Sequence, residues 1–256
     1  MDDFEYLTVQ QEGAVLLVGL NRPEKRNAMS LAVMHELRRV FSTIGSDIGA
    51  AVLYSTSKHF CAGLDLGEVR NQSVIDCVHF FREWHETFEL IQYGKVPVVA
   101  AMSGAAIGGG LEIATACHIR VVDETAFFSL PEGMRGLYVG VGGSVRLPRL
   151  AGLSLMTDMM LTGRSVYAEE SITKGIAQYL TPEGEALAKA KELARTIASN
   201  LPMTNYAITH VLPRITDQSQ QDGLLTEALI AAVVQSDPET SARLADFLDK
   251  KKNKVS

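Results

Sequence analysis

The chain has 256 residues, 46% of them hydrophobic and 21% charged. That balance excludes disordered and fibrous classes and can bury the core of one large domain or two small ones. A net charge of −6, from 24 Lys and Arg against 30 Asp and Glu, argues against binding nucleic acid by bulk electrostatics.

Elements can be read in chain order. Val15–Leu20 is a short apolar run that enters a turn at Asn21-Arg22-Pro23, as a buried strand does. Ser30 suits the N-cap of a helix that carries Leu31, Met34, Leu37, Val40, Phe41 and Ile44 at three- and four-residue steps. Ala50–Tyr54 is a second strand, Phe80, Trp84, Phe88 and Ile91 mark an amphipathic helix, and Val96–Met102 is strand-like despite Pro97. Strands separated by helices predict a parallel α/β core. Beyond about residue 145 helices take over. Thr181-Pro182-Glu183 reads as a helix start before Leu187, Ala190, Leu193, Ala194 and Ile197, and Asp237-Pro238-Glu239 as another before Leu244, Phe247 and Leu248. Between them Leu224–Val234 is strongly apolar. The expected division is an α/β core over 1–195 and a helical region over 196–256 that covers the core or joins subunits. The lysines at 250, 251, 252 and 254 read as a solvated tail.

Several patterns lead nowhere. His85-Glu86-Thr87-Phe88-Glu89 begins like a zinc-protease helix but ends in Glu, so no metal is expected. The glycines around Gly142 lack a dinucleotide fingerprint's third glycine and ribose-binding acid. Cys61, Cys77 and Cys117 are odd in number and widely spaced, so they offer neither a disulfide framework nor a paired-thiol metal site. The acidic start has no signal-peptide apolar region, no apolar stretch spans a bilayer, and Lys254-Val255-Ser256 is not the peroxisomal address. A cytoplasmic protein without membrane or nucleic-acid partners is expected.

The segment Val98–Glu132 carries more. A strand leads into Gly108-Gly109-Gly110-Leu111-Glu112. Three glycines before a helix suit a backbone that approaches a ligand closely, with helix N-terminal N–H groups aimed at negative charge. Glu112, one turn on, would complete a site for enolate chemistry. Read alone, the segment is equally a glycine-rich turn whose glutamate complements the helix dipole. Glu132 follows Pro131 at the mouth of a second glycine-rich loop, and two converging glutamates suit general acid and base roles.

Four segments together resemble the enoyl-CoA hydratase/isomerase (crotonase) family: Leu20 to Met29, Phe60-Cys61-Ala62-Gly63-Leu64-Asp65-Leu66, Gly104 to Glu112, and Leu130-Pro131-Glu132 to Gly143. The resemblance implies a crotonase-like α/β spiral of repeated ββα units, with a helical C-terminal part that makes a trimer or a dimer of trimers. It implies an oxyanion hole from the N–H groups of Ala62 and Gly109, with Glu112 activating water and Glu132 protonating Cα of an α,β-unsaturated acyl-CoA. Lys25, Arg26, Ala28, Asp65, Leu66, Gly108 and Gly140 match substrate-binding positions. No cofactor is implied, since coenzyme A is part of the substrate. Double-bond isomerisation, hydration with cleavage of an aromatic acyl-CoA, and a non-catalytic CoA-binding scaffold are the alternatives. Departures from the family pattern include Leu64, Leu130, Val139, Tyr138 and His118; Leu64, Leu130 and Tyr138 either reshape the acyl pocket or simply pack.

Overall fold

The computed structural model describes residues 4–68 and 73–255, with side chains described up to residue 248. The lysine tail at 250–254 therefore falls outside the described side chains. The described chain forms two compact units, residues 1–198 and 199–256.

The first unit opens with a hairpin, β1 (Leu7–Glu12) and β2 (Val15–Leu20). Helix α1 (Leu31–Ser42) starts where the cap signal places it, with the Ser30 side chain accepting the N–H of Val33. Then come β3 (Ala50–Ser55), α2 (Val74–Gln92), β4 (Val98–Met102), β5 (Ala105–Ile107) and α3 (Gly109–Ala116). They are followed by β6 (Ile119–Asp123), β7 (Phe127–Ser129), α4 (Gly143–Ala151), α5 (Leu153–Thr162) and β8 (Ser165–Tyr167). Helix α6 (Ala168–Thr173), β9 (Tyr179–Thr181) and α7 (Ala186–Ala198) complete the unit.

Six strands form one sheet in the order β1-β2-β3-β4-β6-β9, parallel except for the first pair. A smaller sheet, β5-β7-β8, is extended by two parallel bridges, Met29 to Leu64 and Cys61 to Ala106. Successive passes of the chain therefore place one strand in the large sheet and a shorter stretch beside it in the second layer.

Strand alternation divides the core. Val15, Leu17, Val52, Val99 and Val121 face Ala186, Ala190 and Ala194 of α7. That small-residue stripe at four-residue steps lets the helix lie close to the sheet. Val18, Leu20, Leu53, Ala100 and Val122 belong to the larger cluster on the other face, with Phe41, Trp84 and Phe88. Helix α7 begins at Ala186, later than the Thr181-Pro182-Glu183 signal suggests, because Thr181 ends β9 and its N–C run pairs with β6. Strands β8 and β9 are three residues each, too short for a periodic signal.

The second unit is helical: α8 (Pro202–Tyr206), a π-turn at Ala207–Val211, α9 (Leu212–Ile215), α10 (Gln220–Gln235) and α11 (Pro238–Val255). The π-turn precedes Pro213, whose missing N–H interrupts the helical ladder. Leu224, Leu225, Leu229 and Val233 of α10 and Leu244, Phe247 and Leu248 of α11 are exposed. Among the described residues no helix is long and apolar enough to cross a membrane.

Candidate active site

The site is built where α3 begins. Gly108 turns the chain with φ 51° and ψ −120°, a conformation a side chain resists. Gly109 is the first helical residue, so its N–H has no partner within the helix. Gly110 lies against the carbonyl oxygen of Cys61, which a Cβ there would approach to 2.3 Å. The triplet thus lets the start of α3 approach the Cys61–Leu64 segment backbone to backbone. All eight residues of α3 are buried. At its other end the buried guanidinium of Arg120 donates to the carbonyl oxygens of Ala114 and Cys117, closing the helix C-terminus.

The facing segment is held by Asn27, buried with φ 56°. Its Oδ1 accepts the N–H of Arg22 at 2.8 Å, and its Nδ2 donates to Ser55 Oγ at 2.8 Å and to the Phe60 carbonyl at 3.1 Å. Asparagine tolerates positive φ, and that is the sequence signal by which this organising residue could be found. The N–H of Ala62 donates to the carbonyl of Arg26 at 3.0 Å. It is therefore consumed within the backbone and is not aimed into the cleft, which corrects the assignment of Ala62 to the oxyanion hole. Two residues on, after Gly63 at φ 100°, the bridge to Met29 uses the Gly63 carbonyl and the Asp65 N–H. The N–H of Leu64 between them has no acceptor among the described residues. Leu64 N stands 3.2 Å from the position of a Cβ on Gly109, so the amides of Leu64 and Gly109 lie close together at the cleft.

Two carboxylates complete the cleft. Glu112, on the first turn of α3, is 2% exposed, and its Oε1 accepts the N–H groups of Gly143 at 2.7 Å and Val141 at 2.9 Å. Burial pushes its carboxyl up to about 7, helped by the charge of Glu132 and opposed by those two amides and by Arg146. Glu132 is also raised, by burial, while Arg135 opposes the shift. Its Oε2 is buried with no hydrogen-bond partner among the described residues. The structure thus brings together the two glutamates, 20 residues apart in sequence.

They line a cleft of about 330 Å³ with Ala62, Gly63, Leu64, Leu66, Ile107, Gly108, Gly109, Gly140 and an apolar wall of Phe81, Leu137, Tyr138 and Val139. Leu64 and Tyr138 belong to that lining. Leu130 does not: it is fully buried in the core, so its side chain packs and leaves the pocket unshaped. Lys25, Arg26, Ala28 and Asp65 are not lining residues of the cleft. Lys25 and Arg26 are exposed on the turn that follows β2. The Asp65 carboxylate is paired with Arg22 at 3.0 Å, and the same guanidinium holds the Ala28 carbonyl. Phe81 and Arg135 were not anticipated; Phe81 is brought in from α2 by packing that no local motif announces. His118 is a staple outside the site: Nδ1 accepts the Val98 N–H at 2.9 Å, and Nε2 donates to the Gln92 carbonyl.

The family model for enoyl-CoA hydratase/isomerase matches residues 10–255. The chain belongs to the enoyl-CoA hydratase/isomerase family. It is 32% identical over 244 residues to the "probable enoyl-CoA hydratase 2, mitochondrial" of Arabidopsis thaliana, covering 94% of this chain and 81% of that protein. A crystal structure from Rhodopseudomonas palustris superposes with a TM-score of 0.96 at 48% identity, over 98% of each chain. Enoyl-CoA hydratase from Bacillus anthracis superposes at 0.90 with 29% identity, over 96% of this chain and 97% of that one. The fold is that of the crotonases, an α/β core with a helical C-terminal part.

Proposed function

We propose that the protein is a lyase that adds water across the double bond of an α,β-unsaturated acyl-CoA thioester. The observation that carries this reading is a buried glutamate and a half-buried one on one cleft, beside two backbone N–H groups that have no acceptor among the described residues. The Leu64 and Gly109 amides would receive the thioester oxygen as it gains enolate charge, each such donor contributing roughly 3–4 kcal/mol to the transition state.

Glu112 takes a proton from water as the water oxygen bonds to Cβ. The π electrons move towards Cα and the thioester oxygen, and Glu132 delivers a proton to Cα. Two amide donors on Glu112 Oε1 favour its charged form, whereas the unpartnered oxygen of Glu132 suits a carboxyl that holds a proton. A carboxyl at about 7 exchanges protons readily near neutrality. Proton exchange with solvent resets the pair, and no cofactor is required. Lys25 and Arg26 are exposed cations beside the segment that carries Ala62, which supports the reading that they meet the nucleotide phosphates. The exposed apolar faces of α10 and α11 support assembly as a trimer or a dimer of trimers. Free thiols, two of them buried, suit a reducing compartment such as the cytoplasm.

Hydration can be followed by loss of the enoyl thioester's ultraviolet absorbance. Glu112→Gln and Glu132→Gln should each reduce turnover by at least about 10²-fold, and the double variant should be little worse than the poorer single. Dependence on one glutamate alone would point to isomerisation, and independence from both would point to a CoA-binding scaffold.

A further inference from the structure

Glu112 is held by a short run of backbone, and that run is itself held from behind. Helix α2 presents Phe81 and His85, four residues apart and so on one face, to Gly140. A Cβ on Gly140 would meet the Phe81 ring at 2.4 Å, so ring and backbone are in close contact. One turn on, His85 Nε2 lies 2.8 Å from the Gly140 carbonyl oxygen. A carbonyl only accepts, so Nε2 carries the proton, in the neutral ring as in the charged one. The N–H on the far side of the same planar peptide is that of Val141, which donates to Glu112 Oε1 at 2.9 Å.

We propose that His85 is a positioning residue, which holds the water-activating carboxylate through the Gly140–Val141 peptide. Its donor fixes the orientation of the peptide plane and polarises it, strengthening the N–H on the other side. The Val141 carbonyl is secured in turn by Arg146 at 3.1 Å, so two donors brace the backbone whose amides face Glu112. The charges that act directly on Glu112 are those of Glu132 and Arg146. Around His85 on its own helix, Glu86 is engaged by Arg38, Glu89 acts on Arg146, and Arg82 is exposed. The kinetic consequence rests on the hydratase reading; the effect on Glu112 does not.

The test compares His85→Ala with His85→Gln by carbon NMR of glutamate-labelled protein, the Glu112 signal being assigned with Glu112→Gln, and by steady-state hydration of crotonyl-CoA. In His85→Ala the Glu112 midpoint should move up by about half to one pH unit, because a bond favouring the carboxylate is weakened. The kcat should fall roughly 10- to 100-fold through misplacement, with KM within about twofold. His85→Gln, which keeps an N–H donor, should recover most of both. If His85→Ala does not fold, His85→Met, which fills the space without a donor, carries the same comparison. A Glu112 midpoint equal to that of the wild type in the donor-free variant overturns the proposal, as does equal loss in the glutamine and donor-free variants. A midpoint that shifts as expected in a protein whose wild type hydrates nothing would sink the hydratase reading and leave His85 in its assigned place.

Discussion

The backbone N–H of Ala62 is bonded to the carbonyl oxygen of Arg26 at 3.0 Å, and this single bond decides which amide of the Ala62-Gly63-Leu64 turn is available to a substrate. An amide committed to the backbone must break its bond before it can serve an oxyanion; that of Leu64 need not.

Replacing one amide by an ester, through incorporation of the matching α-hydroxy acid, separates these positions. At Leu64 the change should lower kcat about 10²–10³-fold, the usual loss on removing one oxyanion donor. At Ala62 it should cost on the order of 1 kcal/mol of stability and leave the chemistry largely intact. Equal kcat losses at both positions would refute the assignment of Leu64.

Stability should carry the mark of Glu112. Its folded value of about 7 lies above the ordinary 4.5, so the bound proton favours the folded state. That contribution is complete below pH 4.5 and is lost as the pH rises through 7. Glu112→Gln, which keeps an acceptor for Val141 and Gly143, should match the wild type near pH 4.5 and exceed it by roughly 3 kcal/mol at pH 8. Urea unfolding at the two pH values measures this, and a pH-independent difference would contradict it.

Gly110 makes a different kind of demand. A methyl group there would lie 2.3 Å from the Cys61 carbonyl oxygen, which belongs to backbone and cannot swing aside. Gly110→Ala should destabilise the fold by about 1–3 kcal/mol and part the two amides as well. Thermal unfolding with turnover on the folded fraction would show both effects; an unchanged melting temperature would mean the approach is looser than described.

The C-terminal helices predict mass in solution. Leu224, Leu229, Phe247 and their exposed neighbours would be covered in an assembly, so light scattering should give three or six times 27.8 kDa. A monomer at micromolar concentration would show that these faces stay bare.

What could be read from the sequence follows from how local each signal is. Ser30 and the α1 stripe, the strand Val15–Leu20 and the aromatic face of α2 are written in contiguous residues and appear where expected. Glu112 and Glu132 stand out by their glycine-rich surroundings. The identity of the free amide was not legible, because Ala62 and Leu64 differ only in what lies across from them, Arg26 in one case and the Gly109 turn in the other. Leu130 was ambiguous for the same reason: a leucine before Pro-Glu serves a pocket wall or a core, and only the packing of β7 decides. His85 looked like a failed metal motif, since its partner is a carbonyl 55 residues away.

The stretch from Gly133 to Tyr138 is exposed and belongs to neither sheet, yet Arg135, Leu137 and Tyr138 reach the cleft. Glu112 sits on α3 among buried residues, whereas Glu132 directly precedes this loop, and its carbonyl accepts the N–H groups of Arg135 and Leu137. One carboxylate of the cleft and the wall beside it are therefore encoded in a single short stretch of gene, and the other carboxylate lies apart from them. Randomising the six codons after Glu132 would reshape that wall and the setting of Glu132, while Glu112 and its amide partners Val141 and Gly143 are inherited unchanged.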